Sequence, residues 1–166
     1  RALALDSTSI NALGSLNEFY GMRGDHPNYL RTMVPLFASR EVDLERKIKI
    51  FNRLTNNIDY YQQFYGQLNQ LAITVAVTHP DDLNAMELYT THLIATGDLD
   101  RALEIYKSHV NDSVPEPKIF NTILDIESFK ERPDSVEYYT RMAMERLPDH
   151  HEFLLRRGTY YLVNDK

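Results

Sequence analysis

The chain has no cysteine, which excludes disulfides, thiolate catalysis and Cys-ligated zinc. No apolar run approaches the roughly 20 residues of a membrane-spanning helix. A basic surplus is missing as well. The formal net charge is −6, which argues against a nucleic-acid footprint and against an anionic membrane surface. The first residue is Arg1 rather than Met, and no signal peptide is visible. A processed or truncated chain has this form, so the compartment is left open. The short signatures of catalysis and cofactor binding are also missing: no Gly-x-Ser-x-Gly elbow, no phosphate-binding Gly-Lys-Ser/Thr loop and no Gly-x-Gly-x-x-Gly fingerprint.

What is present is a globular composition, 43% hydrophobic and 25% charged over 166 residues. That length suits one compact domain or a short helical array. It can bury roughly 70% of its unfolded surface without a metal or disulfide staple. The organising stretch runs from Leu83 to Glu116. Leu83, Met86, Tyr89, Leu93 and Ile94 recur at helical spacing before Gly97-Asp98, and Leu99, Ala102, Leu103, Tyr106 and Val110 recur after it. This predicts helix, turn, helix. Gly97 suits the left-handed residue that ends one helix, and Asp98 suits the N-cap of the next.

The rest of the chain follows the same plan. Residues 1–9 read as the tail of a helix with capping residues. A helix from about Ser9 to Met22 presents Leu13, Leu16, Phe19 and Tyr20. Gly24-Asp25 repeats the turn, and Pro27 opens a helix striped with Tyr29, Leu30, Met33, Leu36 and Phe37, with a kink or early end predicted at Pro35. Leu44, Ile48, Phe51, Leu54 and Ile58 form the next stripe, with a break at Asn56-Asn57. One long helix is predicted from Tyr61 to about Thr78, ended by His79-Pro80-Asp81. Ile119, Phe120, Ile123, Ile126 and Phe129 stripe a further helix. Its partner follows a turn at Glu131 to Asp134, and a last helix starts at His151. No strand is predicted.

Hairpin starts fall at Ile10, Leu44, Leu83, Pro117 and His151. A two-helix unit recurring every ~34 residues, as these starts do apart from the longer step between Leu44 and Leu83, resembles the tetratricopeptide repeat. The resemblance is carried by Tyr20, Gly24 and Asp25, by Gly97, Asp98, Ala102 and Tyr106, by Pro80 and Pro148 three residues before a start, and by Gly158. It is degenerate. The second unit has five extra residues and no Gly-Asp turn. The small-residue position of the first helix holds Asn17, Phe51, Thr90 and Leu124, and the Ala position of the second helix holds Tyr29 in the first unit. Pairing Ala102 with Ser135 falls one position short of the period, so the fourth unit's register is open by one.

The resemblance implies an all-α, right-handed α-α superhelix, a solenoid of about four hairpins plus partial terminal units. The units are 10–43, 44–82, 83–116 and 117–150, flanked by 1–9 and by 151–166 as the first helix of another. With no polar cap at either end, the chain reads as a fragment of a longer array, or one whose ends self-associate. Its general look is similar to that of exported repeat proteins of Bacteroidales-type bacteria, which implies an exported or periplasmic location.

No residue cluster makes a convincing reaction centre. His150-His151 beside Glu152 lacks metal-ligand spacing, because neighbours on a helix diverge. His26, His79, His92 and His109 are scattered and are expected in surface or capping roles. Asp98 and Asp100 lack the Gly and Glu of a calcium loop. Asn111-Asp112-Ser113 reads as a turn before it reads as a glycosylation acceptor. Glu41 to Lys49 and Glu131-Arg132 read as solvated faces. Of the pairs Tyr60-Tyr61, Tyr138-Tyr139 and Tyr160-Tyr161, one member can pack inward while the other faces out.

The resemblance therefore implies a non-catalytic scaffold that binds a protein or peptide on its concave face, with no cofactor and no metal. The implied contact positions are Asn11, Gly14, Glu18, Gly21 and Met22 in the first unit and Asn84, Glu87, Thr91, Ile94 and Ala95 in the third. That groove reads as mixed polar, slightly acidic and without a basic clamp. The rival readings are an all-helical hydrolase or lyase with a groove site, and a structural spacer.

Overall fold

The structure, a computed structural model, describes residues 9–112 and 116–164. Among these there are ten helices and no strand. They divide into two compact units at His92/Leu93. The first holds α1 (Ile10–Met22), α2 (His26–Ala38), α3 (Leu44–Thr55), α4 (Ile58–Gln63), α5 (Tyr65–Thr78) and most of α6 (Leu83–Ala95). The second holds α7 (Leu99–Asp112), α8 (Pro117–Phe129), α9 (Pro133–Arg146) and α10 (Glu152–Asn164). Residues 1–8 and Ser113, on which two of the sequence expectations fall, lie outside the described residues.

In the first unit α2 packs against both α1 and α5, and α3 packs against α4 and α5. Leu30, Met33, Phe37, Phe51, Leu68, Leu71 and Val75 form its core. In the second unit α8 packs against α7 and α9, and α9 packs against α10, around Ile119, Phe120, Ile123, Val136, Ala143 and Phe153. Both cores come from apolar stripes at helical spacing, whose burial is the main stabilising term.

Three helix ends share one backbone device. Gly24, Gly97 and Glu131 have φ of 66°, 84° and 54°. In each case the amide after the left-handed residue donates to a carbonyl five residues back: Asp25 to Tyr20, Asp98 to Leu93 and Arg132 to Glu127. The left-handed residue's own amide donates three residues back, to Gly21, Ile94 and Ser128. Gly97 and Glu131 stand one repeat period apart in the sequence. This pairs Ala102 with the buried Val136 rather than with Ser135, which closes the one-residue uncertainty in register. A second device also recurs. His79 and Leu147, two such periods apart, end α5 and α9 with φ/ψ of −128°/64° and −129°/62°. Each is followed by Pro, and each carbonyl accepts from the amide three residues on. The four non-glycine residues at the small-residue position, Asn17, Phe51, Thr90 and Leu124, are all buried.

Several expectations are corrected. The predicted long helix from Tyr61 to Thr78 is two helices, jointed at Phe64 with φ −111° and ψ 24°. Phe64 closes α4 through its amide on the Tyr60 carbonyl and opens α5 by accepting from Leu68. Its ring is buried, so packing bends the chain where no Gly or Pro marks it. Ile58 and Phe129, placed in core stripes, are 69% and 77% exposed. Pro35 does not end α2, which continues to Ala38. The α1 stripe is only half covered: Phe19 is exposed, and the one buried α1 residue is Asn17. The last helix begins at Glu152 rather than His151.

Candidate functional site: the groove between α1 and α3

Polar side chains buried inside the first unit orient the helices that form a groove. Asn17 donates from Nδ2 to the Tyr29 carbonyl at 2.6 Å and to Thr32 Oγ1 at 2.9 Å. This ties α1 to α2 at a fixed rotation. Gly21 lies beside the Tyr29 ring, where a Cβ would come within 3.2 Å of it. Asp25 caps α2 through the Asn28 amide, and its carboxyl is held below the usual range, chiefly by the Asn28 side-chain amide.

On α3 the decisive residue is Lys47, in a stretch expected to be a solvated face. It is wholly buried. Its Nζ donates to the Ser39 carbonyl at 2.8 Å and to His79 Nε2 at 2.9 Å. Ser39 and His79 are the C-caps of α2 and α5, so the ammonium sits at the negative ends of two helix dipoles. Burial pushes the Lys47 pKa down. The His79 pKa is also lowered, first by desolvation and then by the Lys47 charge. With Lys47 and Phe51 turned inward, Arg46, Ile50 and Arg53 face α1 across the groove.

The groove comprises two overlapping hollows of about 360 and about 470 Å³. Asn11, Gly14, Glu18, Gly21 and Met22 line the α1 wall. Arg46, Ile50 and Arg53 line the α3 wall, and Met33, Leu36 and Phe37 form the floor. All five residues implied for the first unit are thus gathered in one place, with Met22 83% exposed. Arg46 and Arg53, from the unit for which no contact positions were implied, add positive charge to a groove read from the sequence as mixed polar, slightly acidic and without a basic clamp. They are the third and tenth residues of their unit, outside the implied contact positions. Their spacing of seven was available as a signal, but the roll of α3 was not. Among the described residues, Glu18, Arg46 and Arg53 make no ion pair.

The residues implied for the third unit do not line this groove. Asn84, Thr91 and Ala95 are exposed, and Glu87 and Ile94 are half-buried. The division between units falls within α6, so Ile94 and Ala95 belong with the second unit.

His92 is a further correction, because it is buried rather than superficial. Its Nδ1 accepts from the Tyr61 hydroxyl at 2.6 Å, and its Nε2–H donates to Asn69 Oδ1 at 3.0 Å. Phe51 and Tyr65 pack on the ring. Burial lowers its pKa, which disfavours the charged imidazolium. In the second unit Glu127 is fully buried against Lys107, Arg132 and Ser135, and Arg132 also reaches Asp100. Arg132 is therefore an anchor at the α8–α9 turn rather than a free solvated charge. Of the tyrosine pairs, Tyr138 faces out with Tyr139 buried, whereas Tyr60 and Tyr61 are both half-buried. Among the described residues no three His, Asp or Glu groups are arranged to hold a metal, and no helix is long and apolar enough to cross a membrane.

Compared with protein-family models and with curated proteins, the chain matches none. The functional reading therefore rests on the residues and their geometry.

Proposed function

We propose that the chain is a tetratricopeptide-like array, a right-handed superhelix of stacked helical hairpins, and that it is a non-catalytic scaffold which holds an extended peptide segment of a partner protein. The carrying observation is the α1–α3 groove, an apolar floor of Met33, Leu36 and Phe37 between polar walls that include Glu18, Arg46 and Arg53. Such a floor supplies apolar contact, and such walls supply orientation. Support for the repeat comes from the left-handed helix ends at Gly24, Gly97 and Glu131, and from the matched ends at His79 and Leu147.

Gly14 makes the reading testable. A Cβ there meets nothing within 4 Å, and the residue lines the hollow. Gly14→Leu fills the hollow while raising helix propensity by about 0.5–1 kcal/mol. Peptides selected from a random display library on the parent chain should bind it, and should lose binding to a Gly14→Leu chain that is at least as stable. Failure to select any peptide, or binding indifferent to Gly14→Leu, would refute the proposal.

A further inference from the structure

We infer that the segment taken by this groove is acidic, with carboxylates three residues apart seated on Arg46 and Arg53 and apolar side chains between them resting on Ile50 and Met33. This rests on the peptide-binding reading above. Arg46 and Arg53 are two helical turns apart on α3, so their Cα atoms lie on one face about 10.5 Å apart along the axis. Three residues of a polyproline II segment, an extended form with three residues per turn, span about 9 Å and return side chains i and i+3 to the same face. The two arginines are exposed, line the hollow, and make no ion pair among the described residues. Guanidinium groups match carboxylates with paired donors. Ile50 lies between the arginines on the same face and lines both hollows with Met33.

The opposite wall carries Glu18. It repels a second row of carboxylates there, so the acidic edge of the segment is directed to α3. The second unit supplies an internal comparison. A hollow of about 480 Å³ lies among α8, α9 and α10, lined by Leu124, Val136, Leu155 and Tyr160. The cation in its lining, Arg156, is already engaged by Asp125 and Asn121. That hollow offers apolar contact without an unengaged positive charge, and an acidic segment has no reason to prefer it.

The test uses the whole chain with labelled Met and Ile methyl groups. It is titrated with three short probes that share a Ser/Gly frame around Glu-Leu-Phe-Glu, Gln-Leu-Phe-Gln or Lys-Leu-Phe-Lys. The acidic probe should shift the Met33 and Ile50 methyl signals and bind about tenfold tighter than the Gln probe, with the Lys probe weakest. An Arg46→Gln/Arg53→Gln chain should keep the parent's melting temperature, both residues being exposed, and lose that preference. If all three probes shift these methyl groups with equal affinity, the groove binds peptide but the acidic assignment fails. The assignment also fails if the preference survives in the double variant. If none of the probes shifts them, the peptide-binding reading falls as well.

Discussion

Glu131→Gly should stabilise the second unit. Glu131 is the one described non-glycine residue with positive φ, at 54°. It occupies the place that Gly24 and Gly97 take at the equivalent helix ends. The left-handed conformation brings Cβ against the following carbonyl and costs about 1–2 kcal/mol for an ordinary residue. Glycine removes that cost but surrenders about 0.5–1 kcal/mol in the unfolded chain, where it has more conformations to lose. The Glu131 side chain is exposed and makes no hydrogen bond or ion pair among the described residues, so its removal forfeits no contact. The net gain centres on about 0.75 kcal/mol, a rise of about 3–6 °C in melting temperature for a unit of this size. Gly97→Ala is the mirror experiment. Its φ is 84°, and an added Cβ meets nothing within 4 Å. The expected net loss of about 0.5–1 kcal/mol would therefore be backbone strain, less the entropy that Ala spares the unfolded chain. Urea unfolding followed by far-ultraviolet circular dichroism measures both, with an unchanged denaturant slope expected. A Glu131→Gly midpoint at or below the parent's would refute the reasoning.

Acid should weaken the first unit before its carboxylates titrate. The His79 and His92 pKa values lie below the ordinary value of 6.5, so in that window the unfolded chain binds more protons than the folded one. Stability is then full above about pH 6.5 and declines as the pH falls through the lowered folded values. His79 is faced by Lys47 and Arg40, which oppose its protonation, and by Asp82, which favours it. Lys47→Met should move its NMR titration midpoint upward; an unmoved midpoint would count against the Lys47–His79 contact. Tyr61→Phe removes the donor to His92 Nδ1 and should cost about 1–3 kcal/mol in urea unfolding, whereas a cost near zero would show that the hydroxyl carries no weight. Glu127→Ala should destabilise the second unit by about 2–3 kcal/mol, below a fully buried pair's loss because the Lys107 side chain is 26% exposed. A surface-like effect of about 0.5 kcal/mol would contradict the burial of Glu127.

Much of the secondary structure is local chemistry and can be read from the residues in order. Gly24, Gly97, Asp25 and Asp98 mark turns because a left-handed residue and a side-chain cap act within a few positions. Pro117 and Pro133 open helices, and Asn56-Asn57 separates two, for similarly short-range reasons. The sequence by itself thus determined an all-helical chain, most of its helix ends and the α1 half of the candidate groove. It did not determine how each helix is rolled about its axis. Successive residues differ by about 100°, and the neighbouring helix selects the face that turns inward. Tertiary packing alone decided that Lys47, His92 and Glu127 lie inside while Ile58 and Phe129 lie outside, and that the chain breaks at Phe64. The same roll, fixed by Lys47 between two helix C-termini, brought Arg46 and Arg53 to the groove wall.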